Sequence, residues 1–446
     1  MRGNGDSWRK YRWHWKCAEK TVLTEKLIHY FRQIPDYRCG REKRHDLAEM
    51  LVCVTLGFLC GRTTIRRSLK WCKTHLEELR KHMNLKYGIA SPSTITRMLN
   101  GIDEELALYA FMEWIGEIVE SRNTHLAIDG KALCGATEKT KGETTPMLLN
   151  VVETVRGLIL AQLPVDSKTN EITAIPELLK LLDISGSIVT IDAVGTQTAI
   201  MEQIHEQGGH FVLTVKKNQP EAYEEIHTFM DKLGAEDLKR KKGEAMDPGM
   251  KEFLEKYEEI SQMEKNRDRN EYRTCQICKD ASNLTKSQKE WPHVQSIGRI
   301  KQVRIPKEKD SQGNDVTPSK EEFLEKGSRR IPAPSAGEGA GKDVQCTALI
   351  SDLILTAEEL GSIKRMHWSI ENRLHHVLDD TFREDRSPAK KSRNNLSLIR
   401  KYAYNILRLA MYETGLANIM TEMMDCFCDN AALRERYVFQ GIASLY

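Results

Sequence analysis

Residues 367–372 read His-Trp-Ser-Ile-Glu-Asn, and the periodicity around them predicts a helix from Ile363 to Asp379. Apolar side chains recur there at three- and four-residue steps and form one face, namely Ile363, Met366, Ile370, Leu374, Val377 and Leu378. A second, polar face repeats every four residues and comprises His367, Glu371, His375 and Asp379. The helix therefore places the carboxylate of Glu371 between two imidazoles, although a lone glutamate on such a face is usually only solvated.

Two earlier aspartates give Glu371 candidate partners. Asp129 follows the apolar run Leu126–Ile128, and Asp192 follows the apolar run Ile188–Ile191. A carboxylate in a buried strand is costly unless charge or hydrogen bonds compensate. If the two strands are neighbours, the carboxylates converge and repel each other unless a cation lies between them. Oxygen ligands of this kind suit Mg²⁺ or Mn²⁺, whereas either aspartate alone would more simply end a strand at a turn.

Strands and helices alternate around these acids. A hairpin over 147–165, helices near 174–183 and 196–207, and strands near 187–193 and 210–215 indicate a mixed sheet flanked by helices. The charge-dense segment from about 220 to 345 begins with a helical run over 223–233, then holds short strand candidates, and is expected to be a largely β insertion. Its last part, 326–342, is rich in Gly, Ser, Pro and Ala and is typical of a loop. An apolar strand at 347–355 then leads into the Glu371 helix.

The front of the chain predicts a basic tail over 1–22 and a small all-α domain over 23–121. Helices are expected near 24–34, 46–60, 67–83 and 104–121. Ser91 and Pro92 favour a further short helix through Leu99. Thr94 and Arg97 on that helix are candidate DNA contacts, as in a helix-turn-helix, although the preceding turn is longer than that motif normally has. We expect 122–446, including closing helices at 393–412 and 417–437, to form one catalytic domain.

Charge is unevenly distributed along the 446 residues. Residues 1–100 hold 21 Lys and Arg against 9 Asp and Glu, a net charge of +12, whereas the whole chain carries +3. A basic front suggests a polyanionic partner, most often nucleic acid, although a solubilising surface has the same composition. The eleven cysteines lack a disulfide-like spacing. The longest apolar run, 50–60, is too short to span a bilayer, and no signal-peptide pattern is present, so we expect a cytoplasmic protein with no membrane partner.

Several motifs together resemble those of H-repeat-associated insertion-sequence transposases of the DDE superfamily. In family order they are AIDGKAL at 127–133, DSKTNEI at 166–172, TIDAVGTQ at 190–197, VKKNQ at 215–219 and HWSIENRLHHVLDDTFRED at 367–385. The stretches PDYRCGREKRHDLAEML at 35–51 and GIASPSTITRML at 88–99 are similar to the helical domain that accompanies them. The resemblance runs from about residue 27 to residue 411. It implies an RNase H-like core with a β insertion before the third acid of a DDE triad.

Carried over by motif, the triad falls on Asp129, Asp192 and Glu371. The resemblance implies a DNA transposase that binds double-stranded DNA, both the terminal repeats of its element and the target. Because two ends must be brought together, we expect a dimer on DNA. Asp129 would bridge two Mg²⁺ ions, or Mn²⁺ in their place, about 4 Å apart, with Asp192 and Glu371 each completing one site. Further candidates for DNA contacts, or for supporting the acids, are Lys131, Lys216, Asn218, Arg269, Arg273, His367 and His375.

The chain departs from the family pattern at a few positions. Arg267 and Asp268 stand where the HGRxExR motif has His and Gly, while its later Arg, Glu and Arg positions are kept at Arg269, Glu271 and Arg273. Two alternatives remain open. One is an inactive DNA-binding relic of a mobile element, and the other is a zinc hydrolase that uses His367, Glu371 and His375 at four-residue spacing. The second leaves both aspartates unexplained.

Overall fold

A computed structural model of the chain describes residues 23–40, 43–133, 145–165, 171–265, 269–284, 291–306, 308–309, 315–316, 344–387 and 389–445. The expected basic tail and the Gly-rich stretch 326–342 lie outside these residues. The chain divides into two compact units. One comprises residues 1–120 and 391–446, and the other comprises 121–390.

The first part of the helical unit contains α1 (Leu27–Gln33), α2 (Leu47–Leu59), α3 (Ile65–Thr74), α4 (Leu76–Leu79), α5 (Pro92–Gly101) and α6 (Glu104–Gly116). Most of these helices begin at a residue whose side chain accepts a hydrogen bond from a first-turn N–H, namely Asp46, Thr64, Ser91 and Asp103. The single helix expected over 67–83 is instead the pair α3 and α4. α2 is buried on all sides, as its unbroken apolar sequence predicts.

The sheet unit begins with β1 (His125–Ala132), β2 (Met147–Glu153), β3 (Leu158–Val165), α7 (Glu171–Lys180), β4 (Ile188–Ile191), α8 (Thr198–Glu206) and β5 (His210–Val215). The predicted hairpin is confirmed by the antiparallel pairing of β2 and β3. β1, β4 and β5 pair in parallel at the centre of the sheet. A short 3₁₀ turn, Ala193–Gly195, follows β4.

The second half of this unit contains α9 (Pro220–Lys242), α10 (Lys251–Glu255), β6 (Tyr257–Lys265), β7 (Arg269–Cys278), β8 (Ser296–Pro306), β9 (Glu308–Lys309), β10 (Asp315–Val316), β11 (Val344–Ser351) and α12 (Ala357–Ile370). The segment expected to be largely β therefore opens with a 23-residue helix. Within the described residues nine strands form one mixed sheet, in the order β3-β2-β1-β4-β5-β11-β8-β7-β6. β6, β7 and β8 thus extend the central sheet through β11, while β9 and β10 pair separately.

The closing helices are α13 (Arg393–Thr414), α14 (Met420–Asp429) and α15 (Ala431–Arg434), followed by a π-helical segment, Glu435–Gln440. We expected these residues to join the sheet domain, but they belong to the helical unit. α13 contacts α2 and α6, and its Tyr402 ring is fully buried against Phe31 and Phe111. The apolar faces of the front helices are thus covered by a helix that begins only at Arg393. In the described part of the chain, no helix is long and apolar enough to cross a bilayer.

Candidate active site

Asp129 and Asp192 lie side by side at neighbouring strands of the sheet. β1 and β4 pair in parallel with Ile128 opposite Ile191, and each isoleucine is followed directly by one of the aspartates. The two aspartates therefore occupy equivalent positions in the register of the paired strands. Their carboxylates interact electrostatically. The expectation that these two strands are neighbours is confirmed.

Glu371 reaches the same region from the end of α12. This helix starts with a capping box formed by Thr356 and Glu359 and contacts β1 and β4. At Glu371 it widens into π-helical turns, Glu371–His375 and then Val377–Thr381. Such turns are frequent at functional sites because they redirect side chains around the helix axis. The predicted helix therefore exists, but it changes its winding at the third acid, which is exposed.

Asp129 experiences a concentration of negative charge. Burial raises its pKa to about 7, with further contributions from the nearby carboxylates of Asp192, Glu371 and Glu171. The backbone N–H of Gly130 donates to Asp129 Oδ1 at 3.0 Å and opposes this rise in pKa. The shift is the electrostatic consequence of gathering carboxylates in a partly buried place.

Asp192, in contrast, is kept ionised by neighbouring cations and an imidazole. The contact with His367 lowers the pKa of Asp192 most, and Lys216 and Lys364 lower it further against the effect of burial. Lys216 Nζ donates to Asp192 Oδ2 at 2.9 Å, while Lys364 Nζ lies 3.9 Å from Oδ1. Burial in turn lowers the pKa of Lys364 to about 8, and its ammonium also donates to Thr214 Oγ1 at 2.9 Å.

A chain of buried polar side chains leads to Asp192 from the start of β1. His125 Nδ1 lies 2.6 Å from Thr154 Oγ1, and His125 Nε2 lies 3.1 Å from Thr190 Oγ1. Thr190 Oγ1 is 3.0 Å from His367 Nδ1, and His367 Nε2 faces Asp192 Oδ1 at 3.8 Å. Burial lowers the pKa of His125 to about 3 and also lowers that of His367, so both rings are neutral near pH 7.

A neutral imidazole donates from one nitrogen and accepts at the other. Each threonine hydroxyl also has a backbone acceptor, His125 O at 3.4 Å from Thr154 Oγ1 and Leu126 O at 3.3 Å from Thr190 Oγ1. The contacts with the rings are shorter, and they are satisfied together when Thr154 donates to His125, His125 donates to Thr190, and Thr190 donates to His367. His367 then presents its Nε2–H to Asp192. The buried chain thus fixes which nitrogen of His367 carries the proton, as outer hydrogen bonds commonly do for site histidines.

Lys131 anchors the segment after Glu371 to β1. Its ammonium lies 2.6 Å from Asp379, 3.0 Å from Glu384 and 3.6 Å from Asp385. The Lys131 side chain is only 4% exposed, and the neighbouring carboxylates, Glu384 first, raise its pKa against the effect of burial. This burial favours the supporting role expected of Lys131 over a contact to DNA.

The structure brings some of the other predicted residues to the acids. Lys216 is exposed and contacts Asp192 directly. Asn218 donates from its side chain to the backbone oxygen of Ala193 at 3.0 Å, which holds the turn after Asp192 in place. Arg273 lies farther along the sheet, bonded to Glu271 at 3.0 Å and 5.7 Å from the ring centre of Trp368. Arg269 begins β7, and its side chain lies outside the described residues.

Thr94 and Arg97 belong to the helical unit. They lie on α5, which begins with Ser91 as its cap and Pro92 in its first turn, as the sequence predicts. Arg97 is exposed, and its guanidinium is 3.5 Å from Thr94 Oγ1. α4 and α5 are separated by residues 80–91, so this pair lacks the short turn of a helix-turn-helix.

The zinc alternative required His367 and His375 to share one ion with Glu371. The structure instead turns His367 toward Thr190 and Asp192, while His375 Nδ1 lies 3.6 Å from Asp129 Oδ2. Each imidazole accompanies a different aspartate. The four-residue spacing therefore brings His367 to Asp192 and His375 to Asp129. Because the two imidazoles do not face a common point with Glu371, the geometric basis for the zinc site is removed.

Among the described residues, no three carboxylate, imidazole or thiolate groups lie close enough together to hold an ion as they stand. The donor set nevertheless suits a hard divalent cation, since it consists of carboxylate oxygens. The raised pKa of Asp129 reflects repulsion that a cation would relieve. Lys216 at present supplies the positive charge beside Asp192.

Sequence reasoning missed His125, Thr190, Lys364 and Glu171. A usable signal was present for the first two, because side chains two residues apart on a strand share a face. His125 and Asp129 are four residues apart on β1, and Thr190 precedes Asp192 by two residues. Lys364 is seven residues before Glu371 on the same helix, but nothing in its spacing distinguishes it from a solvated lysine.

Comparison with known proteins bears directly on this arrangement of acids. The family model described as the transposase DDE domain matches residues 120–406, which include Asp129, Asp192 and Glu371. The chain belongs to this DDE transposase family. A second model, described as associated with that domain, matches residues 28–115.

Relatives of this transposase include two chains of Escherichia coli strain K12 whose names describe H repeat-associated transposases. YhhI is 28% identical over 388 residues, covering 86% of this chain and 90% of its own. YbfD is 32% identical over 196 residues, covering 44% of this chain and 78% of its own. Among solved structures, a piggyBac transposase synaptic complex with hairpin DNA aligns at a TM-score of 0.38 and 10% identity, covering 92% of this chain and 78% of that one. Similarity at that level does not establish a shared topology.

Proposed function

We propose that this transposase cleaves DNA strands at the ends of an insertion sequence and joins them to target DNA in a metal-dependent reaction. The observation that carries the proposal is the parallel pairing of β1 with β4, which sets Asp129 beside Asp192. Glu371 contributes to the same electrostatic environment from α12. Three carboxylates from three separate elements would not be gathered in this way for stability, because their mutual repulsion is unfavourable.

Asp129, Asp192 and Glu371 are the residues that would hold two Mg²⁺ ions, or Mn²⁺ in their place. When bound, such ions activate the attacking oxygen and stabilise the leaving oxygen of a phosphoryl transfer. The chain's own residues prepare this site. His367 and Lys364 keep Asp192 ionised, Asn218 fixes the turn behind it, and Lys131 holds the Glu371 segment against β1.

The finer fold assignment is part of the same proposal. We take β1–β5 with β11 as an RNase H-like core, and α9 to β10 as an insertion placed before the third acid. We take the helical unit as a DNA-binding module, and the active species as a dimer on double-stranded DNA in the bacterial cytoplasm. The order of the acids, two on neighbouring strands and one on a later helix, supports the core assignment.

The decisive experiment is cleavage of end-labelled duplexes that carry the ends of the element encoding this chain, with Mg²⁺, with Mn²⁺ and with a chelator. We expect nicking at the element terminus only when metal is present. Glu371→Gln and Asp129→Asn should abolish nicking and leave DNA binding intact. The matched control is Glu358→Gln, which makes the same change in the first turn of α12 and should leave cleavage unaltered.

Each other result has a defined meaning. Cleavage that persists in Asp129→Asn would show that Asp129 is not a catalytic metal ligand and would overturn the assignment of the three acids. Tight binding without cleavage by the unaltered protein under any metal would favour the DNA-binding relic.

A further inference from the structure

α2 and α3 pack closely against each other and are joined by a short turn. Five residues, 60–64, separate the two helices, and Gly61 within the turn has a φ of +72°. A Cβ added to Gly57 would lie 2.1 Å from Ser68 Cβ, so the helices approach each other closely at that point. The backbone N–H of Arg62 donates to Gly57 O at 2.8 Å and Ser68 Oγ donates to Arg62 O at 3.2 Å, which ties the turn to both helices. A short turn that contains Gly is one feature that α2 and α3 share with a helix-turn-helix.

The two helices have opposite surface properties. All 13 residues of α2 are buried, so it presents no side chain to a partner. α3 buries Ser68, Leu69, Trp71 and Cys72 and exposes a cationic face comprising Arg66, Arg67, Lys70 and Lys73. At about 100° per residue, the first, third and fourth of these lie within an arc of about 60°, and the stripe is about 10 Å long.

Among the residues that the structure describes, no carboxylate compensates the charge of this α3 cationic face. α3 itself contains no acidic residue, and in the portion of the chain that the structure describes none of the four cations forms an ion pair with a carboxylate. Cations elsewhere on the surface are commonly paired, as Lys239 is with Glu236 and Lys241 is with Asp237. Four unpaired cations on one short helix repel each other, so the face favours an anionic partner.

We propose that the α3 cationic face binds the phosphate backbone of double-stranded DNA, and that α2 and α3, rather than the segment around α5, form the helix-turn-helix of this chain. The inference deepens the proposed function, on which it rests for the choice of DNA as the polyanion. A helix fits the major groove, which is about 12 Å wide, and Lys and Arg beside it contact phosphates and fix its register. α5 exposes a single cation, Arg97, and lacks the short turn.

The test compares DNA binding by matched variants of the full chain. In one variant Arg66, Arg67, Lys70 and Lys73 are all changed to Gln, which keeps helix propensity. In the control, Lys232, Lys239, Lys241 and Lys242 on α9 are changed to Gln, which removes the same charge elsewhere. A third variant is Arg97→Gln. Fluorescence anisotropy with the element-end duplex, and with an unrelated duplex of equal length, is followed over a salt series. Circular dichroism and thermal unfolding verify that each variant is folded.

We expect the α3 variant to bind both duplexes at least about tenfold more weakly, and the slope of log K against log salt to fall in magnitude by up to about 3.6, since each lost phosphate contact contributes about 0.9. The α9 control and Arg97→Gln should bind like the unaltered protein. Nicking by the α3 variant should recover at saturating protein, because the face acts in binding rather than in chemistry.

An α3 variant that loses no more affinity than the α9 control, or a larger loss in Arg97→Gln, would overturn the inference. Failure of the proposed function has a different signature. In that case the unaltered protein binds DNA through α3 but does not nick it with any metal.

Discussion

Asp129 keeps its proton at pH values where an ordinary aspartate is ionised, because burial and neighbouring carboxylates hold its pKa at about 7. An unfolded aspartate has a pKa of about 3.9, so the folded state is penalised for ionising Asp129. That penalty is absent below about pH 4 and complete above about pH 7. In chelator, Asp129→Asn should therefore be more stable than the unaltered protein at pH 8 and equally stable at pH 4. We expect a difference on the order of 2 kcal/mol at pH 8, reduced by solvent screening of a partly exposed group, measured by urea unfolding across this pH range.

Asp192 provides a control of opposite sign for that experiment. Its pKa is lowered by His367, Lys216 and Lys364, so its ionised form contributes stability that is present above the unfolded pKa and lost as pH falls through the folded pKa. Asp192→Asn should consequently destabilise the protein at pH 8, and the loss should shrink in acid. Stabilisation by both substitutions alike at pH 8 would contradict the contrast between the two neighbouring carboxyls.

Thr190 is the residue through which the buried chain acts on His367. Thr190→Val keeps the shape of the side chain but removes the hydroxyl that lies 3.0 Å from His367 Nδ1. His367 then loses the bond that fixes its tautomer, and metal-dependent nicking should fall about 10- to 100-fold, as is typical when an outer hydrogen-bond partner is removed. Thr190→Ser retains the hydroxyl and should restore most of the rate. The measurement is the single-turnover nicking rate at saturating DNA, and equal rates for Val and Ser would contradict this role.

At the scale of elements, Lys131 connects β1 to the π-helical segment that follows Glu371. Lys131→Met would leave the buried carboxylate of Glu384 and the half-buried carboxylate of Asp379 without their shared cation. Breaking a buried ion pair from one side typically costs about 3–5 kcal/mol, and we expect destabilisation of that order in urea unfolding at pH 7. The control is Lys180→Met, which breaks an exposed pair with Glu177 and should cost less than about 1 kcal/mol. Similar losses of unfolding free energy in the two variants would show that the ion pairs of Lys131 contribute no more to stability than an exposed pair does.

Elements whose apolar pattern indicates which residues are buried were predictable from the sequence. An apolar run is followed directly by an acid within β1 and again at the end of β4. The meeting of Asp129 with Asp192 therefore followed from local pattern and from the assumption that the two strands are neighbours. β6 was missed because Tyr257–Lys265 is dense in charge, which is tolerated at the edge of a sheet. The π-helical turns at Glu371 were not predictable either. The four-residue steps between the buried Ile370, Leu374 and Leu378 are wider than the 3.6 residues of an α-helical turn but are also common in ordinary α-helices.

At the scale of the whole molecule, the missing information was long-range packing. The helices of α13 to α15 carry apolar faces that would suit either unit, and only the three-dimensional structure assigns them to the front helices. Tyr402 of α13 lies 4.8 Å, ring centre to ring centre, from each of Phe31, Phe111 and Trp114. The helical unit is thus assembled from both ends of the chain, and a domain boundary drawn from sequence order alone divides its core.

This assembly predicts how fragments of the chain behave. Residues 23–120 alone lack α13 and would expose the apolar faces of α2 and α6, so we expect a fragment without cooperative thermal unfolding. Joining 23–120 to 391–445 through a flexible Gly/Ser linker should restore a cooperative transition, followed by circular dichroism. Tyr402→Ala in the joined protein should cost about 3–5 kcal/mol, as for other buried aromatic truncations, whereas Tyr412→Ala, at an exposed position of the same helix, should cost little. Cooperative unfolding of 23–120 by itself would show that the front helices form a complete core, and the later helices would then be an accessory layer.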